Sequence, residues 1–518
     1  MQTAFLILII YLILALGSAI FIFWFLKRNR KKESKPAISL VFIISLLVIL
    51  FLIIRKTEIH PLLSFFKTPR FNGSSFTYEI DESILVRKDK KQELPEHLPD
   101  SPVIVIMIES MRYDLINIEP CPISFMKSLI DQSYLFSKSY AASSHSDYAD
   151  LSLWYSKYPL RSSKRTKYKK NSHFRKTSIF QVFKNLNYET AYISSHNEKW
   201  GSMINWLDVP EIDFFYHSED YNKKTWYNKD DKKGLASLIK NKIATAGKIE
   251  DSETLRIAKD WIANLSDSKS FFLGMNLQNT HFNYLIPEGG EEPFQPSIID
   301  FPMIYYSWSE EKVEHVKNRY FNAFYNLDML INDFVDFLKK EGIWDNCYFI
   351  IIGDNGEAFY EHGFGNHSGP MYDESVRTFT LIKPLKDFIT YPVENPINHI
   401  DILPAVLDLM NIPIPNSFQG ISPFKTDLKR IIYLHANAIV HQDGIIDWPW
   451  KLLINYQPAK EAELYNLEID PLEKRNLFNS CEKKANELFD KLMNWRNTQL
   501  VYYRKPQYHL IFEPPKIN

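Results

Sequence analysis

The stretch VIVIMI at residues 103–108 decides the fold class of this chain. It follows Pro102 and is a continuous run of apolar, mostly β-branched residues, a pattern typical of a central parallel strand that is buried on both faces. Comparable short runs recur at residues 271–277, 348–353 and 379–382, and amphipathic helical segments separate them. This alternation of strand and helix predicts an α/β fold with a mostly parallel sheet flanked by helices.

Polar residues follow two of these runs at the points where the strands end. Glu109 and Ser110 come after the first run, and Asp354 and Asn355 come after the third. Ligands of open α/β sheets bind outside the carboxyl ends of the strands, and carboxylate and amide oxygens suit a divalent cation. Polar residues at a strand end are also typical of a solvated turn, so each motif alone leaves both interpretations open.

The composition is that of an ordinary globular protein with a sizeable core. The chain has 518 residues, a formal net charge of −1, 45% hydrophobic and 24% charged residues, which favours neither a nucleic-acid partner nor disorder. The three cysteines, Cys121, Cys347 and Cys481, are too few and too scattered for a disulfide framework or a thiolate metal cluster.

Two charge-free segments near the N-terminus each have the length needed to cross a bilayer core of roughly 30 Å. We predict transmembrane helices at residues 3–26 and 36–54. The segment between them carries six Lys or Arg against one acid, Glu33, which predicts a cytoplasmic loop by the positive-inside rule. The rest of the chain is then expected outside the cell membrane, on its periplasmic or extracellular side. A cleaved signal peptide is the alternative, but a basic n-region and a cleavage site of small residues are missing.

A set of motifs carries a resemblance to a known family. In chain order they are VIMIESMRYD, SHSDYADLSLWYSKYPLR, NTHFNYLIP, GDNGEAFYEHGFGNH, HIDILPAVLDLMNIPIP and ELYNLEIDPLEKRNLFN. Together they resemble the sulfatase family of the alkaline phosphatase superfamily, and its relatives the envelope phosphoethanolamine and phosphoglycerol transferases, over residues 100 to about 480. The resemblance implies an alkaline-phosphatase-like sheet and a smaller C-terminal α+β subdomain.

The resemblance also divides the chain. We expect a transmembrane hairpin within residues 1–56, a polar stem or linker at 57–100, a catalytic domain at 101–430, and the C-terminal subdomain at 431–518, which completes the catalytic domain.

Ser146 is the nucleophile that the resemblance implies. In the family the nucleophile lies thirteen residues before the Pro of a Tyr-Pro or Phe-Pro pair, and counting back from Pro159 reaches Ser146. Ser143 and Ser144 are the rivals for this role. A hydroxyl is a weak nucleophile at neutral pH, so it needs a base or a metal to activate it.

The remaining site residues follow from the same motifs. One divalent metal ion, Mn²⁺, Ca²⁺, Mg²⁺ or Zn²⁺, is expected on Glu109, Ser146, Asp354 and Asn355, and the amide of Asn355 favours the harder cations. His281 and His367 resemble the catalytic and substrate-binding histidines of the family. We also expect two further residues to contact the substrate, His196 and Trp200.

The chain departs from true sulfatases around the nucleophile. The modification that produces formylglycine needs Pro or Ala two places after the nucleophile and Arg four places after it, and here Tyr148 and Asp150 stand there. An unmodified Ser146 is therefore expected to attack, as Thr does in the transferases. In contrast, the Asp354-Asn355 pair and the C-terminal motif are sulfatase-like.

Three hypotheses for function follow. The first is a transferase that passes a phospho-alcohol group from a membrane lipid to an envelope glycan or lipid acceptor. The second is a hydrolase of small sulfate or phosphate esters, which shares every site residue with the first. The third is a catalytically silent envelope scaffold. None of them has a nucleic-acid partner.

Overall fold

The structure is a computed structural model of the chain. It describes residues 79–88, 100–159, 177–222, 247–265, 270–301, 303, 305, 308–424, 429–456 and 462–516. The predicted transmembrane helices at 3–26 and 36–54 lie outside these residues, as does most of the stem at 57–100, and they stay predictions. Among the helices that the structure describes, none is both long enough and apolar enough to cross a membrane.

Strands of the described chain form a central sheet, a short two-stranded pair and a C-terminal sheet. They are β1 (Val103–Ile108), β2 (Tyr134–Leu135), β3 (Ser139–Tyr140), β4 (Glu189–Ser194), β5 (Phe214–Tyr216), β6 (Phe271–Leu277), β7 (Tyr348–Gly353), β8 (Thr380–Lys383), β9 (Ile397–Asn398), β10 (Ile432–Asn437), β11 (His441–Asp447), β12 (Trp450–Asn455) and β13 (Glu463–Asn466).

The central sheet has the strand order β2-β8-β7-β1-β6-β4-β5, with β1 in its middle. β1 runs parallel to β6 and β7, and β4 runs parallel to β6 and β5, whereas β8 is antiparallel to β7 and β2. The register pairs Ile108 with both Leu277 and Gly353. The residues that follow these three strands therefore lie side by side at one edge of the sheet.

Helices cover both faces of this sheet. They are α1 (Ser124–Ser128), α2 (Ser146–Tyr155), α3 (Ile179–Asn185), α4 (Ile204–Leu207), α5 (Asp251–Ala263), α6 (Val313–Lys340), α7 (Asp373–Val376), α8 (Ile402–Leu409), α9 (Glu482–Arg504) and α10 (Pro506–His509).

The side chains of β1 alternate between two cores. Ile104, Ile106 and Ile108 pack with residues of α1, α5 and α6, whereas Val105 and Met107 pack with residues of α2, α3 and α8. This double burial explains why the strand reads as a continuous apolar run. The predicted fold class is confirmed, and the predicted strands at 103–108, 271–277 and 348–353 have the bounds of β1, β6 and β7.

The C-terminal region forms its own antiparallel sheet in the order β10-β11-β12-β13. Leu488, Leu492 and Trp495 of α9 pack in one cluster with Tyr433 and Leu452 of this sheet. The rings of Trp495 and Tyr433 stack with their centroids 4.9 Å apart. A sheet covered by a helix confirms the α+β character expected of this subdomain.

A buried ion cluster joins the C-terminal sheet to helix α7. Nζ of Lys451 in β12 lies 2.9 Å from Oδ1 of Asp373 in α7 and 2.9 Å from Oε1 of Glu473. The backbone N–H of Asp373 also donates to Oε2 of Glu473 at 2.6 Å. Burial, together with the Asp373 carboxylate and against the charge of Lys451, raises the pKa of Glu473 to about 8.

This raised pKa predicts that the folded state loses stability as the pH rises toward 8. Between the ordinary pKa of a Glu and the raised one, the folded protein holds a proton that the unfolded chain releases. Each pH unit in that window then costs up to ~1.4 kcal/mol of unfolding free energy. Chemical denaturation at pH 6 and pH 8.5 should show a smaller loss in Glu473→Gln than in the wild type. Glu487→Gln, at an exposed position of α9, is the control and should keep the wild-type loss. An equal loss in Glu473→Gln would contradict the assignment.

Candidate active site

Glu109 is the first residue after β1 and its carboxylate is buried, with 2% of the residue exposed. Its backbone N–H donates to the carbonyl of Leu277 at 3.1 Å, and its own carbonyl accepts from Oγ1 of Thr280 at 2.5 Å. Nε2 of Gln278 donates to Oε2 of Glu109 at 2.9 Å. The end of β6 thus fixes both the backbone and the side chain of Glu109.

Ser146 is brought to this carboxylate by helix α2, of which it is the first residue. Its Oγ donates to Oε1 and Oε2 of Glu109 at 3.1 and 3.3 Å, and it accepts from Nδ2 of Asn355 at 3.2 Å. Placement at a helix N-terminus favours negative charge on this oxygen. The rival Ser144 donates instead to the carbonyl of Gly369 at 2.8 Å.

Asp354 and Asn355 follow β7 and complete this group. Oδ1 of Asp354 accepts from the backbone N–H of Ser110 at 2.8 Å, and Oδ2 accepts from Nδ2 of Asn355 at 2.5 Å. Oδ1 of Asn355 is buried and has no hydrogen-bond partner among the described residues. The nitrogen of this amide faces Ser146, so a ligand role for Asn355 needs the amide turned by 180°, an exchange of two nearly indistinguishable atoms.

The neighbouring charges shift the pKa values of the two buried carboxylates, Asp354 and Glu109, in opposite directions. Burial, and then the nearby Glu109 carboxylate, raise the pKa of Asp354 well above its usual range. Burial acts on Glu109 in the same direction, but electrostatic interaction with His281, His367 and Lys248 outweighs it and lowers the pKa of Glu109. Two carboxylates that repel each other in a buried place, next to an unsatisfied amide oxygen, fit a divalent cation.

Two sets of side chains could hold this cation, and they share Glu109. The predicted set consists of oxygen donors from Glu109, Ser146, Asp354 and Asn355, which suits Mg²⁺, Ca²⁺ or Mn²⁺. The second set is Glu109 with His281 and His367, whose ligand atoms all lie within 4.8 Å of one another. A site with imidazole donors suits Zn²⁺ better.

His367 is buried and held by several partners. Its Nδ1 lies 3.1 Å from Oε2 of Glu357 and 3.2 Å from Oγ of Ser110. Its Nε2 contacts the hydroxyl of Tyr305 and lies 3.7 Å from Oε1 of Glu109. Burial alone would lower the pKa of His367, but the carboxylates of Glu357 and Glu109 raise it to about 9. The ring is therefore a positive group that faces Glu109.

His281 lies beside His367, with the two ring centroids 5.2 Å apart. Nδ1 of His281 contacts the carbonyl of Phe282 at 2.5 Å, which leaves Nε2 as the nitrogen available to a substrate. Burial, followed by the charge of Lys248, lowers the pKa of His281 well below its usual range. The structure thus brings both predicted histidines to the sheet edge where Ser146 lies.

The two predicted substrate contacts, His196 and Trp200, pack against each other near the start of α2. The indole of Trp200 stacks on His145, the residue before Ser146, with centroids 5.3 Å apart and an interplanar angle of 11°. His196 packs edge-on against Trp200 with centroids 5.6 Å apart. Trp200 is 37% exposed, so its ring is accessible next to the nucleophile.

Two further buried acids, Asp150 and Glu198, lie close to the amide of Asn276. Asp150, one turn after Ser146, is 1% exposed, and its Oδ2 accepts from Nδ2 of Asn276 at 3.4 Å. The same Nδ2 lies 3.5 Å from Oε1 of buried Glu198. Burial, and then the neighbouring carboxylates, raise the pKa of Asp150 well above its usual range. The position where true sulfatases carry Arg therefore holds a buried acid that favours its neutral form.

Sequence reasoning missed several residues of the site. Gln278 supports Glu109, Tyr305 contacts His367, and Asp251 accepts from the backbone N–H groups of Gln278 and Asn279 at 2.8 and 2.9 Å. Gln278 comes directly after the β6 run, so the rule that applies to Glu109 and Asp354 also applies to it. The other contacts depend on long-range packing, which the sequence does not display.

Comparisons with known proteins agree with this architecture. The Sulfatase family matches residues 101–412, and the C-terminal family of N-sulphoglucosamine sulphohydrolase matches residues 360–499. The chain therefore belongs to the sulfatase family, and it is a sulfatase-superfamily enzyme.

Individual relatives share only a small fraction of identical residues with this chain. An N-acetylglucosamine-6-O-sulfatase of Bacteroides thetaiotaomicron is 26% identical over 204 residues, which cover 36% of this chain and 36% of that protein. The chain thus spans about a third of the length of this curated relative. A solved structure in complex with its substrate D-glucosamine-2-N,6-O-disulfate has a TM-score of 0.60 at 16% identity and covers 79% of this chain and 99% of its own. A protein in the alkaline phosphatase superfamily from Vibrio parahaemolyticus has a TM-score of 0.52 at 15% identity, over 75% of this chain and 88% of its own.

The two ligand sets predict opposite effects of single substitutions. If the oxygen donors bind the cation, Asp354→Asn should weaken binding of the divalent metal by about tenfold or more, whereas His281→Ala should leave it within about twofold, given what lost metal-site partners cost. Metal content by mass spectrometry after equilibrium dialysis measures both. Metal loss in His281→Ala with retention in Asp354→Asn would select the set with two histidines instead.

The position of Trp200 predicts a role in binding and not in chemistry. Trp200→Ala should raise KM several-fold, with kcat and metal content close to the wild type, because an aromatic contact is worth about 0.5–1.5 kcal/mol. Steady-state kinetics measures this. Phe489→Ala removes an equally exposed aromatic ring from α9 and should change neither constant. A fall in kcat alone would assign Trp200 to another role.

Proposed function

We propose that the protein is a metal-dependent hydrolase of small sulfate esters that uses the unmodified hydroxyl of Ser146 as its nucleophile. The observation that carries the proposal is the contact of Ser146 Oγ with both oxygens of Glu109 and with the amide of Asn355. This contact supports a hydroxyl nucleophile beside the oxygen donors of the candidate cation site. When bound there, a divalent cation would supply positive charge that stabilises negative oxygens.

Residues of the chain supply the rest of the chemistry. The Glu109 carboxylate accepts the hydroxyl proton of Ser146 in a hydrogen bond and so orients the oxygen for attack on the sulfur atom. His367, as a positive group, would bind an anionic oxygen of the ester. His367, which is protonated, would also give a proton to the alcohol that leaves, whereas His281, whose Nδ1 contacts the carbonyl of Phe282, would accept a proton at Nε2 from the water of the second step. Water would then release sulfate from Ser146.

The choice of sulfate and of a sugar-like substrate draws on the relatives. The curated relative named above is a sulfatase of an amino sugar, and the solved structure named above holds a disulfated glucosamine. Trp200, which stacks on the residue before Ser146 and is 37% exposed, offers aromatic surface of the kind on which a sugar ring can pack. We therefore extend the proposal to sulfated sugars as the substrate class.

A phosphoryl transferase is the second candidate, and the residues after Ser146 favour it. Tyr148 and Asp150 replace the residues that would direct formation of formylglycine, so the nucleophile stays a plain hydroxyl, as in the transferases. In this case an alcohol of an envelope glycan or lipid would take the group from Ser146 in place of water. The donor would be a phospho-alcohol ester such as a membrane lipid.

Turnover of matched esters tests both candidates. The purified protein should hydrolyse 4-nitrophenyl sulfate faster than 4-nitrophenyl phosphate, and Ser146→Ala should lower kcat by about a thousandfold or more because it removes the nucleophile. Ser144→Ala is the matched control and should retain most of the activity, because its hydroxyl bonds to Gly369 and not to the site.

Intact-mass analysis after a rapid quench identifies the intermediate. A group on Ser146 that comes from the sulfate ester supports the hydrolase, and one that accumulates only with the phosphate ester and leaves only when an alcohol is added supports the transferase. Formylglycine at position 146 would contradict the plain-hydroxyl mechanism in both.

A further inference from the structure

Lys248 lies just before α5, on a segment that is fixed at the sheet edge of the candidate site. The next residue, Ile249, donates its backbone N–H to the carbonyl of Ser195 at 3.1 Å, just after β4. The backbone N–H of Asp251 donates to Oδ1 of Asn279 at 3.1 Å, just after β6, and Oδ1 of Asp251 accepts from Oγ of Ser195 at 2.6 Å. Contacts to two strand ends therefore hold the backbone that follows Lys248.

The amine of Lys248 is buried and interacts electrostatically with charged groups of the site. Its Nζ has no hydrogen-bond partner in the part of the chain that the structure describes. Its charge acts on the carboxylates of Glu109 and Asp354 and on the imidazole of His281. Burial lowers the pKa of this amine to about 8, against the attraction of the carboxylates.

An ammonium group in such a place is a cost to the fold. Taking it out of water carries a penalty of several kcal/mol unless hydrogen-bond acceptors replace the water. The described residues supply charge nearby but no acceptor within bonding distance of Nζ. The acceptor that is missing has to be anionic or strongly polar, and it has to reach the centre of the site.

The ester itself meets these conditions, and the inference therefore rests on the proposed function. We propose that Lys248 is an anion-binding residue of the active site, and that its Nζ donates a hydrogen bond to a non-bridging oxygen of the sulfate or phosphate group. An ammonium has three N–H donors and no acceptor, so it suits an oxygen that carries negative charge. The same contact would oppose the charge that these oxygens carry while Ser146 attacks.

Binding of inorganic anions tests this role apart from turnover. Calorimetry on the full-length, metal-loaded protein would measure Kd for inorganic sulfate and for inorganic phosphate in separate titrations. Lys248→Met keeps the length of the side chain without its charge, and Lys248→Arg keeps the charge. Lys259→Met is the matched control. Lys259 lies in α5, and its Nζ pairs on the surface with the carboxylate of Asp333 in α6.

Lys248→Met loses a charged hydrogen bond, so it should raise Kd for the preferred anion about 10- to 100-fold. Lys248→Arg should recover part of the affinity, and Lys259→Met should bind like the wild type. Without anion, the unfolding temperature and metal content of Lys248→Met should equal or exceed those of the wild type, since a buried charge without a partner has been removed. A structural lysine would give the opposite result.

Three results would overturn the assignment. They are a wild type that binds neither anion, a Lys248→Met variant whose Kd stays within twofold of the wild type, and a Lys248→Met variant that unfolds several degrees lower in the absence of anion. Failure of the proposed function looks different. A wild type that turns over no ester, yet binds sulfate or phosphate through Lys248, would reject the hydrolase and keep the anion site.

Discussion

The buried carboxylate of Glu109 is the constraint on which the rest of the site depends. A charged group with 2% exposure at the end of a central strand needs compensation from its surroundings. Three elements provide it: α2 brings the hydroxyl of Ser146, the end of β6 brings the amide of Gln278, and the loop after β7 brings the ring of His367. Two of these groups, Ser146 and His367, are also the ones to which the proposed function assigns the nucleophile and the binding of the ester, so folding and the proposed chemistry make the same demand on this carboxylate.

Around Glu109, the described residues of the site include more carboxyl groups than their positively charged neighbours can compensate. The raised pKa values of Asp354 and Asp150 express this excess in a place that water does not reach. A protein built only for stability would replace such groups with apolar ones. Asp354 follows β7 at the edge of the main sheet and Asp150 lies in α2, one turn after Ser146, and we expect these buried acids to serve the binding of charged ligands at a cost in stability.

Most of the architecture could be predicted from the sequence because it depends on local patterns. Doubly buried strands appear as apolar runs, and the rule about strand ends led directly to Glu109 and Asp354. The short strands β2, β3 and β9 have two residues each and carry no periodic signal.

The residues of the candidate site also fall into two groups, those that a local sequence pattern predicts and those that only the folded structure reveals. Ser146 follows from a spacing within one motif, whereas the contact between Gln278 and Glu109 joins residues 169 positions apart, and no local pattern encodes it. Lys248 lies in a polar segment whose composition is that of a surface loop, and only the fold shows that its amine is buried. Which way the amide of Asn355 turns is likewise a property of the packed site.

The ion cluster of Lys451, Asp373 and Glu473 has a consequence for how the chain can be divided. Asp373 begins α7, and the carbonyl of Ser375 in that helix accepts from the backbone N–H of Gly356, next to Asp354 and Asn355. A fragment that ended at residue 430 would leave Asp373 without its lysine, beside the loop that carries His367. We therefore expect the C-terminal sheet to be needed in the same polypeptide for the loop beside the candidate site to keep its structure.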